Sequence, residues 1–251
     1  NQFLVYYQPI IDLQNGEIYK AEALIRWQHP DLGFISPASF IPIAEDTGTI
    51  HPIGDWVFSQ ALQQVQACQA LLGRKFQISV NKSPVQFLVE RSDQHNWLDQ
   101  LAASSIDGDS IVIEITEGVL INNDVRVTQS LLQYRDAKIQ VAIDDFGTGY
   151  SSLSYLKKFD VDYLKIDQSF TQNLTIDSSE YALCEAIIVM AHKLGIKVIA
   201  EGVETEQQDQ LLKQMGCDFG QGYLYARPLP APQLIDFLRN QAGSKPGEFI
   251  E

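Results

Sequence analysis

Apolar residues follow two rhythms along this chain. Short, nearly continuous runs at residues 3–11, 18–27, 76–80, 111–116, 139–143, 163–166, 198–200 and 218–223 read as strands. Between most of them, apolar positions recur every three or four residues, which predicts helices at 53–72, 97–104, 125–134, 182–194 and 206–215, with a last one at 231–241. Asn15-Gly16 separates the first two runs and is a hairpin signal, so these two strands are expected to be antiparallel. Ser36-Pro37 predicts the start of a short helix reaching residue 44, because proline suits a first helical position, and Gly73 is a stop for the long helix that follows.

From residue 76 onward strand and helix alternate, a pattern that gives right-handed crossovers and parallel pairing. Eight strands within 251 residues fit a closed α/β ring better than an open sheet. The expected fold is therefore a modified TIM (β/α)8 barrel with an antiparallel first strand. Barrels of this length are commonly one domain. We read a single domain over residues 1–242 and a polar tail, expected to be mobile, over 243–251.

With 45% hydrophobic and 20% charged residues the chain can bury a large core. Its formal charge of -14 argues against a diffuse basic surface for DNA or an anionic bilayer, so any anionic ligand must be met locally. Cys68, Cys184 and Cys217 are widely spaced and form no CxxC pair, as expected of free buried thiols in a cytoplasmic protein. Neither a membrane-spanning run nor a leader is read, and direct membrane contact by this domain is not expected. The start at Asn1 reads as a domain cut from a longer parent, which is free to carry membrane-anchored modules.

Placed on the predicted strands, the polar residues form a pattern. Glu22 lies in the second strand, Asn81 just past the third, Glu114 in the fourth and Asp144-Asp145 at the end of the fifth. Lys165 and Asp167 flank the end of the sixth, Glu201 follows the seventh and Gln221 falls in the eighth. A lone carboxylate at a strand end is more often a helix cap or a loop ion pair. Repetition on seven strands is different, because barrel strands deliver their C-terminal ends to one mouth. Like charges crowded there raise one another's pKa, and bound cations relieve that cost. A donor set of carboxylate and amide oxygens selects Mg²⁺ or Mn²⁺ over Zn²⁺, and so many acids fit two ions sharing Asp144, a pair suited to activating a water for phosphoryl hydrolysis.

Here the residues resemble a known family. Glu22-Ala23-Leu24-Ile25-Arg26-Trp27 resembles the signature of EAL domains, bacterial phosphodiesterases for cyclic di-GMP. Tyr7-Gln8-Pro9-Ile10, Ser36-Pro37 to Phe40, Ala44 to Gly48, Val80-Asn81, Glu114 to Glu117, Asp144 to Leu153, Leu164 to Asp167, Ala200 to Glu204 and Gly220 to Tyr223 are similar to its other blocks, in the same order. The resemblance spans residues 3 to 240 or so. It implies hydrolysis of cyclic di-GMP to linear pGpG, with Glu22, Asn81, Glu114, Asp144, Asp145 and Glu201 as ligands of two Mg²⁺ or Mn²⁺ ions. It implies that Lys165 holds the attacking water or the phosphate, and that Glu22, Asp144 and Glu201 share in catalysis. Gln8, Leu24, Arg26 and Gln221 would meet the substrate. Glu117 would brace the loop after Asp145, to which Thr148 belongs, and Asp167 and Glu204 would support the site from behind. Ca²⁺ is expected to hold substrate without efficient cleavage.

The alternative in another class is a catalytically silent EAL domain that serves as a cyclic di-GMP receptor; such domains lose ligands, and none of the set is missing here. The resemblance also implies a homodimer through the loop after Asp145 and the helix following it, where Leu153, Tyr155, Leu156 and Phe159 are equally readable as core. Lys82 occupies a position where the family often has an apolar residue, and strand alternation turns it away from Asn81. The four histidines share no spacing and are read as solvated or capping groups.

Overall fold

A computed structural model describes residues 2–88, 97–121, 124–147, 156 and 159–243. Its strands are β1 (Phe3–Asp12), β2 (Ile18–His29), β3 (Gly33–Ile35), β4 (Gln77–Asn81), β5 (Ile111–Thr116), β6 (Gln140–Phe146), β7 (Tyr163–Ile166), β8 (Lys197–Ala200), β9 (Phe219–Gly220) and β10 (Leu229–Pro230). Eight of them form a ring in the order β1-β9-β8-β7-β6-β5-β4-β2, closed by the pairing of β1 with β2. β1 is antiparallel to both its neighbours, and every other pair in the ring is parallel. The expected barrel with one reversed strand is therefore the observed fold.

The remaining two strands lie outside the ring, β3 on the edge of β2 and β10 on β1. At three and two residues they are too short to carry a pattern of their own. The opening hairpin turns where Asp12 Oδ1 accepts the Gln14 N–H at 2.9 Å and Gly16 takes φ 73°. At the other end, the predicted strand 218–223 shrinks to Phe219–Gly220. Gly222 explains why: an added Cβ would come within 2.0 Å of the Val203 carbonyl oxygen, so the chain can fold tightly there only because the side chain is missing.

The helices Pro37–Asp46, Ile50–Leu72, Trp97–Ala103, Val125–Asp136, Ser179–Lys193, Glu206–Gln214 and Ala231–Gly243 match the predicted ones to within a few residues. The long helix begins at Ile50 rather than 53, since Pro52 in its first turn forfeits only an amide that has no intrahelical partner. It stops as expected at Gly73, φ 62°, whose N–H reaches Gln69 O at 2.9 Å. Thr205 and Gln208 close the start of Glu206–Gln214 with a reciprocal capping box.

Two apolar zones hold this together. Phe58, Phe76, Ile78, Ile113, Leu164 and Val198 belong to the layer between barrel and helices. Inside the barrel lies a second cluster of Ile10, Val112, Ala142, Tyr163, Ile199 and Phe219. Each of these is two residues along its strand from Gln8, Glu114, Asp144, Lys165, Glu201 or Gln221, so the period-2 alternation sets an apolar floor beneath the polar residues. All three cysteines are free and buried. No helix among the described residues is long and apolar enough to cross a membrane. The tail beyond residue 243 and the predicted loop residues Thr148, Leu153 and Tyr155 lie outside the described residues.

Candidate metal and active site

Lys165, in β7, is fully buried inside the barrel. Its Nζ lies 2.6 Å from Glu114 Oε2 of β5, 2.7 Å from Glu201 Oε1 just past β8, 3.1 Å from Asp144 Oδ1 of β6 and 3.3 Å from Glu22 Oε2 of β2. Side chains from five strands thus meet at one ammonium. Amides fix the acid on β2 from both sides. Asn81 Nδ2 donates to Glu22 Oε1 at 2.7 Å and Gln221 Nε2 to Glu22 Oε2 at 2.7 Å. Gln221 Nε2 also reaches Gln8 Oε1 at 3.2 Å, and Gln8 Nε2 donates to Ala226 O at 3.1 Å.

Asp144, Asp145 and Glu201 offer carboxylate oxygens that all lie within 4.8 Å of one another. Asp145 reaches this position by adopting φ 55°, in the left-handed region that aspartate tolerates better than most residues, and its N–H donates to Asp144 Oδ1 at 3.1 Å. Gly147 follows at φ 98° beside Phe170. Glu117, at the start of the helix Glu117–Ile121, is buried, and both its carboxylate oxygens have no partner among the described residues. Asp167 is the N-cap of the helix Gln168–Gln172, accepting the Ser169 N–H at 3.0 Å. Glu204 is exposed, and its backbone N–H donates to Gln208 Oε1 at 2.8 Å. Asp167 is near enough to Asp145 to raise its pKa.

A recess of about 250 Å³ opens from the acids toward the helix Ile50–Leu72, with Leu24, Arg26, Ile53, Asn81 and Glu114 among its walls. Arg26 Nη1 donates to Ile25 O at 2.9 Å, and its guanidinium stands 5.7 Å from the Tyr6 ring centre. Glu45 also lines the recess and accepts Ser83 Oγ at 2.6 Å. No role was expected of Glu45, although it belongs to one of the family-like blocks. Lys82 points away from Asn81, as strand alternation predicts, and burial pushes its amine down to about 8 while Asp55 acts the other way.

Electrostatics show what this set lacks. Burial disfavours the charge on Lys165, but Asp144, Glu114, Glu201 and Glu22 together outweigh it and hold the ammonium well above the ordinary lysine range. Burial also raises Glu22, yet Lys165 with the amides of Gln221 and Asn81 leaves that carboxyl below its usual value. Glu114 and Glu201 have less help: burial, then neighbouring carboxylates, push Glu114 well up and Glu201 up to about 8 against the pull of Lys165. Asp145 is raised as well, by burial and then by Asp144 and Asp167. Four carboxylates thus contact one cation, and a fifth, Asp145, lies beside Asp144 and Glu201. Glu114 Oε1 and Gln221 Oε1 are buried without a hydrogen-bond partner among the described residues. Oxygen donors, excess negative charge and orphaned acceptors suit hard divalent cations.

The family model described as the EAL domain matches residues 1–228. The chain belongs to the EAL domain family. Among curated relatives, the cyclic di-GMP phosphodiesterase PA2567 of Pseudomonas aeruginosa is 40% identical over 241 residues, covering 94% of this chain and 40% of that protein. The cyclic di-GMP phosphodiesterase PdeR of Escherichia coli is 38% identical over 231 residues, covering 92% of this chain and 34% of that protein. The chain thus spans roughly a third to two fifths of the length of these relatives. Among solved structures, the PaMucR phosphodiesterase in complex with c-di-GMP superposes with a TM-score of 0.85 at 38% identity, over 93% of this chain and 94% of that one.

Proposed function

We propose that this EAL domain hydrolyses one phosphodiester of cyclic di-GMP to linear pGpG with two Mg²⁺ or Mn²⁺ ions. The observation that carries the reading is the convergence of Glu22, Glu114, Asp144 and Glu201 on Lys165 at the barrel mouth. The names of the relatives and the dinucleotide in the PaMucR complex support the substrate. Glu22, Asn81, Glu114, Asp144, Asp145 and Glu201 are the residues that would hold the ions. When bound, the ions activate water and stabilise charge on phosphorus oxygens.

The chain's own groups do the rest. Four carboxylates favour the charged form of Lys165, so we read it as a fixed donor facing the charge that develops on the phosphoryl group. Asn81 and Gln221 keep both oxygens of Glu22 aimed, and Gln8 steadies Gln221 from behind. Leu24 and Arg26 line the recess that would receive the dinucleotide. Glu117 and Thr148 belong to the support of the loop after Asp145. Two copies would pair through that loop and the helix following it, although Leu156 and Phe159 pack in the core. The compartment we assign is the cytoplasm, with further modules in a longer parent.

The test is to incubate the domain with cyclic di-GMP and Mg²⁺, Mn²⁺ or Ca²⁺ in parallel and separate the products by chromatography. Linear pGpG is expected with Mg²⁺ and Mn²⁺, and retained substrate with Ca²⁺. No pGpG with either of the first two, at enzyme concentrations near those of substrate, overturns the reading and leaves a receptor. Sedimentation with and without metal and dinucleotide tests the pairing.

A further inference from the structure

Just past the end of β4, Lys82 borders the recess beside Asn81, but its ammonium lies among aromatic rings rather than among the acids. Its Nζ lies 4.2 Å from the Trp97 ring centre, 5.1 Å from that of Phe87 and 5.7 Å from that of Tyr134. Trp97 is itself stacked on Phe58 at 4.7 Å, which makes this wall of the box rigid. The rings come from the helices Ile50–Leu72, Val85–Leu88, Trp97–Ala103 and Val125–Asp136. Asp55, on the first of these, is the acidic group that attracts the lysine. Burying a lysine stem and head among rings is costly unless the rings' negative faces meet the cation, and that requirement fixes where the head can sit.

Lys82 also forms a backbone connection. Its N–H donates to Glu114 O at 2.9 Å, continuing the ladder in which Asn81 and Glu114 are register partners. Asn81 in turn holds Glu22 Oε1 at 2.7 Å. Because side chains alternate along an extended chain, any roll of this segment that withdraws Lys82 from the box turns Asn81 away from the mouth.

We infer that Lys82 is a positioning residue for the metal site: locked in the aromatic box, it fixes the end of β4 so that Asn81 and Glu114 present their oxygens together. The inference rests on the reading of those two residues as metal ligands.

Its test is a Mn²⁺ titration followed by electron paramagnetic resonance, with thermal melts and kcat and KM for cyclic di-GMP alongside. Lys82→Met keeps the stem and removes the cation, and is expected to weaken Mn²⁺ binding about 10-fold, the usual effect of removing a group that orients a ligand. We expect kcat to fall with it, while KM changes little. Lys82→Arg, which can keep a cation over the same rings, should recover most of the loss. Mn²⁺ affinity unchanged in Lys82→Met overturns the inference, even if the melting temperature drops, since a merely structural lysine would behave so. Should Lys82→Met not fold, Trp97→Phe weakens the nearest wall of the box: reduced Mn²⁺ affinity supports the inference and unchanged affinity overturns it. A wild-type domain that binds Mn²⁺ but makes no pGpG refutes the proposed activity alone, and the titrations still decide the role of Lys82. One that binds no Mn²⁺ refutes both.

Discussion

Lys165→Met isolates the central interaction of the site. Methionine nearly matches lysine in length, so little cavity is left and the change is chiefly the loss of one positive charge. Glu114 is fully buried and Glu22 almost so, and both contact that charge. Replacing a whole buried ionic group by apolar residues can be neutral, but removing one partner leaves the others uncompensated at roughly 3–5 kcal/mol. For a chain of this size each kcal/mol lowers the melting temperature by about 2–4 °C. The metal-free variant should therefore melt about 6–20 °C below wild type at pH 9, where these carboxyls are most fully ionised. Two conditions should narrow the gap. Lowering the pH through about 8 protonates Glu201, and Glu114 is also raised; both rise further once Lys165 no longer favours their charged forms. Saturating Mg²⁺ supplies positive charge directly, and at about 100 times its Kd adds about 2.7 kcal/mol. Calorimetric melts at pH 7 and 9, with EDTA or Mg²⁺, give all four values. A metal-free variant within about 2 °C of wild type at pH 9 would show that the carboxylates do not depend on Lys165. Turnover should fall about 10²–10³-fold, as when a donor to developing charge is lost, and unchanged kcat would refute the donor role.

Three further outcomes are expected. Since the folded-state pKa of Glu201 is raised to about 8 from an unfolded value near 4.5, its favourable contribution is present below pH 4.5 and is lost as pH rises through about 8; with EDTA this slope should appear in wild type and be missing in Glu201→Gln. Lys20 is buried with no hydrogen-bond partner for Nζ among the described residues, 3.3 Å from the Tyr163 ring centre, and burial, then Lys197, hold its pKa well below the ordinary range. The folded state thus gives up a proton that the unfolded chain keeps, so stability rises with pH toward the ordinary lysine range; Lys20→Met should remove that slope and add about 1–3 kcal/mol at pH 7, and a lower urea midpoint would contradict this. Gly147→Ala would force a side chain at φ 98° to within 3.0 Å of Phe170, which should cost about 1–3 kcal/mol and weaken Mn²⁺ binding by displacing the loop after Asp145, read by melts and titration.

The ring was legible in the sequence because strands covered on both faces are apolar without interruption, and because Asn15-Gly16 announced the one reversed pair. β3 and β10 were not, since their pairing is set by the partner strand. The end of β9 was misjudged because the close approach of Gly222 to Val203 leaves no trace in hydrophobic pattern. In the site, residue types at strand ends announced the acids, Asn81 and Gln221. The chain could not announce which contacts they make, such as Gln221 with Glu22 across 199 positions or Lys165 with Glu22 across 143. For Lys82 the alternation gave its direction correctly and its rings not at all, because Trp97 and Tyr134 arrive on later helices.

Lys20 and Lys165 separate burial from chemistry. Both are inside the barrel, 3% and 0% exposed, and burial alone would neutralise either. Lys165 faces four carboxylates and keeps its proton, whereas Lys20, in the floor beside Tyr163 and Phe219, is pushed toward the free amine. The floor's lysine is bonded to none of the acids above it. That leaves Lys165 as the one cation bonded to those acids among the described residues, with Glu114, Asp145 and Glu201 all raised in pKa despite it. A site so short of positive charge gains from each divalent ion it admits, and loses most when Asn81 and Glu114 cannot present their oxygens together. With Asn81 and Glu114 as the proposed ligands, metal binding and the placement of β4 become one equilibrium, and a lysine whose ammonium lies apart from the acids would act on both.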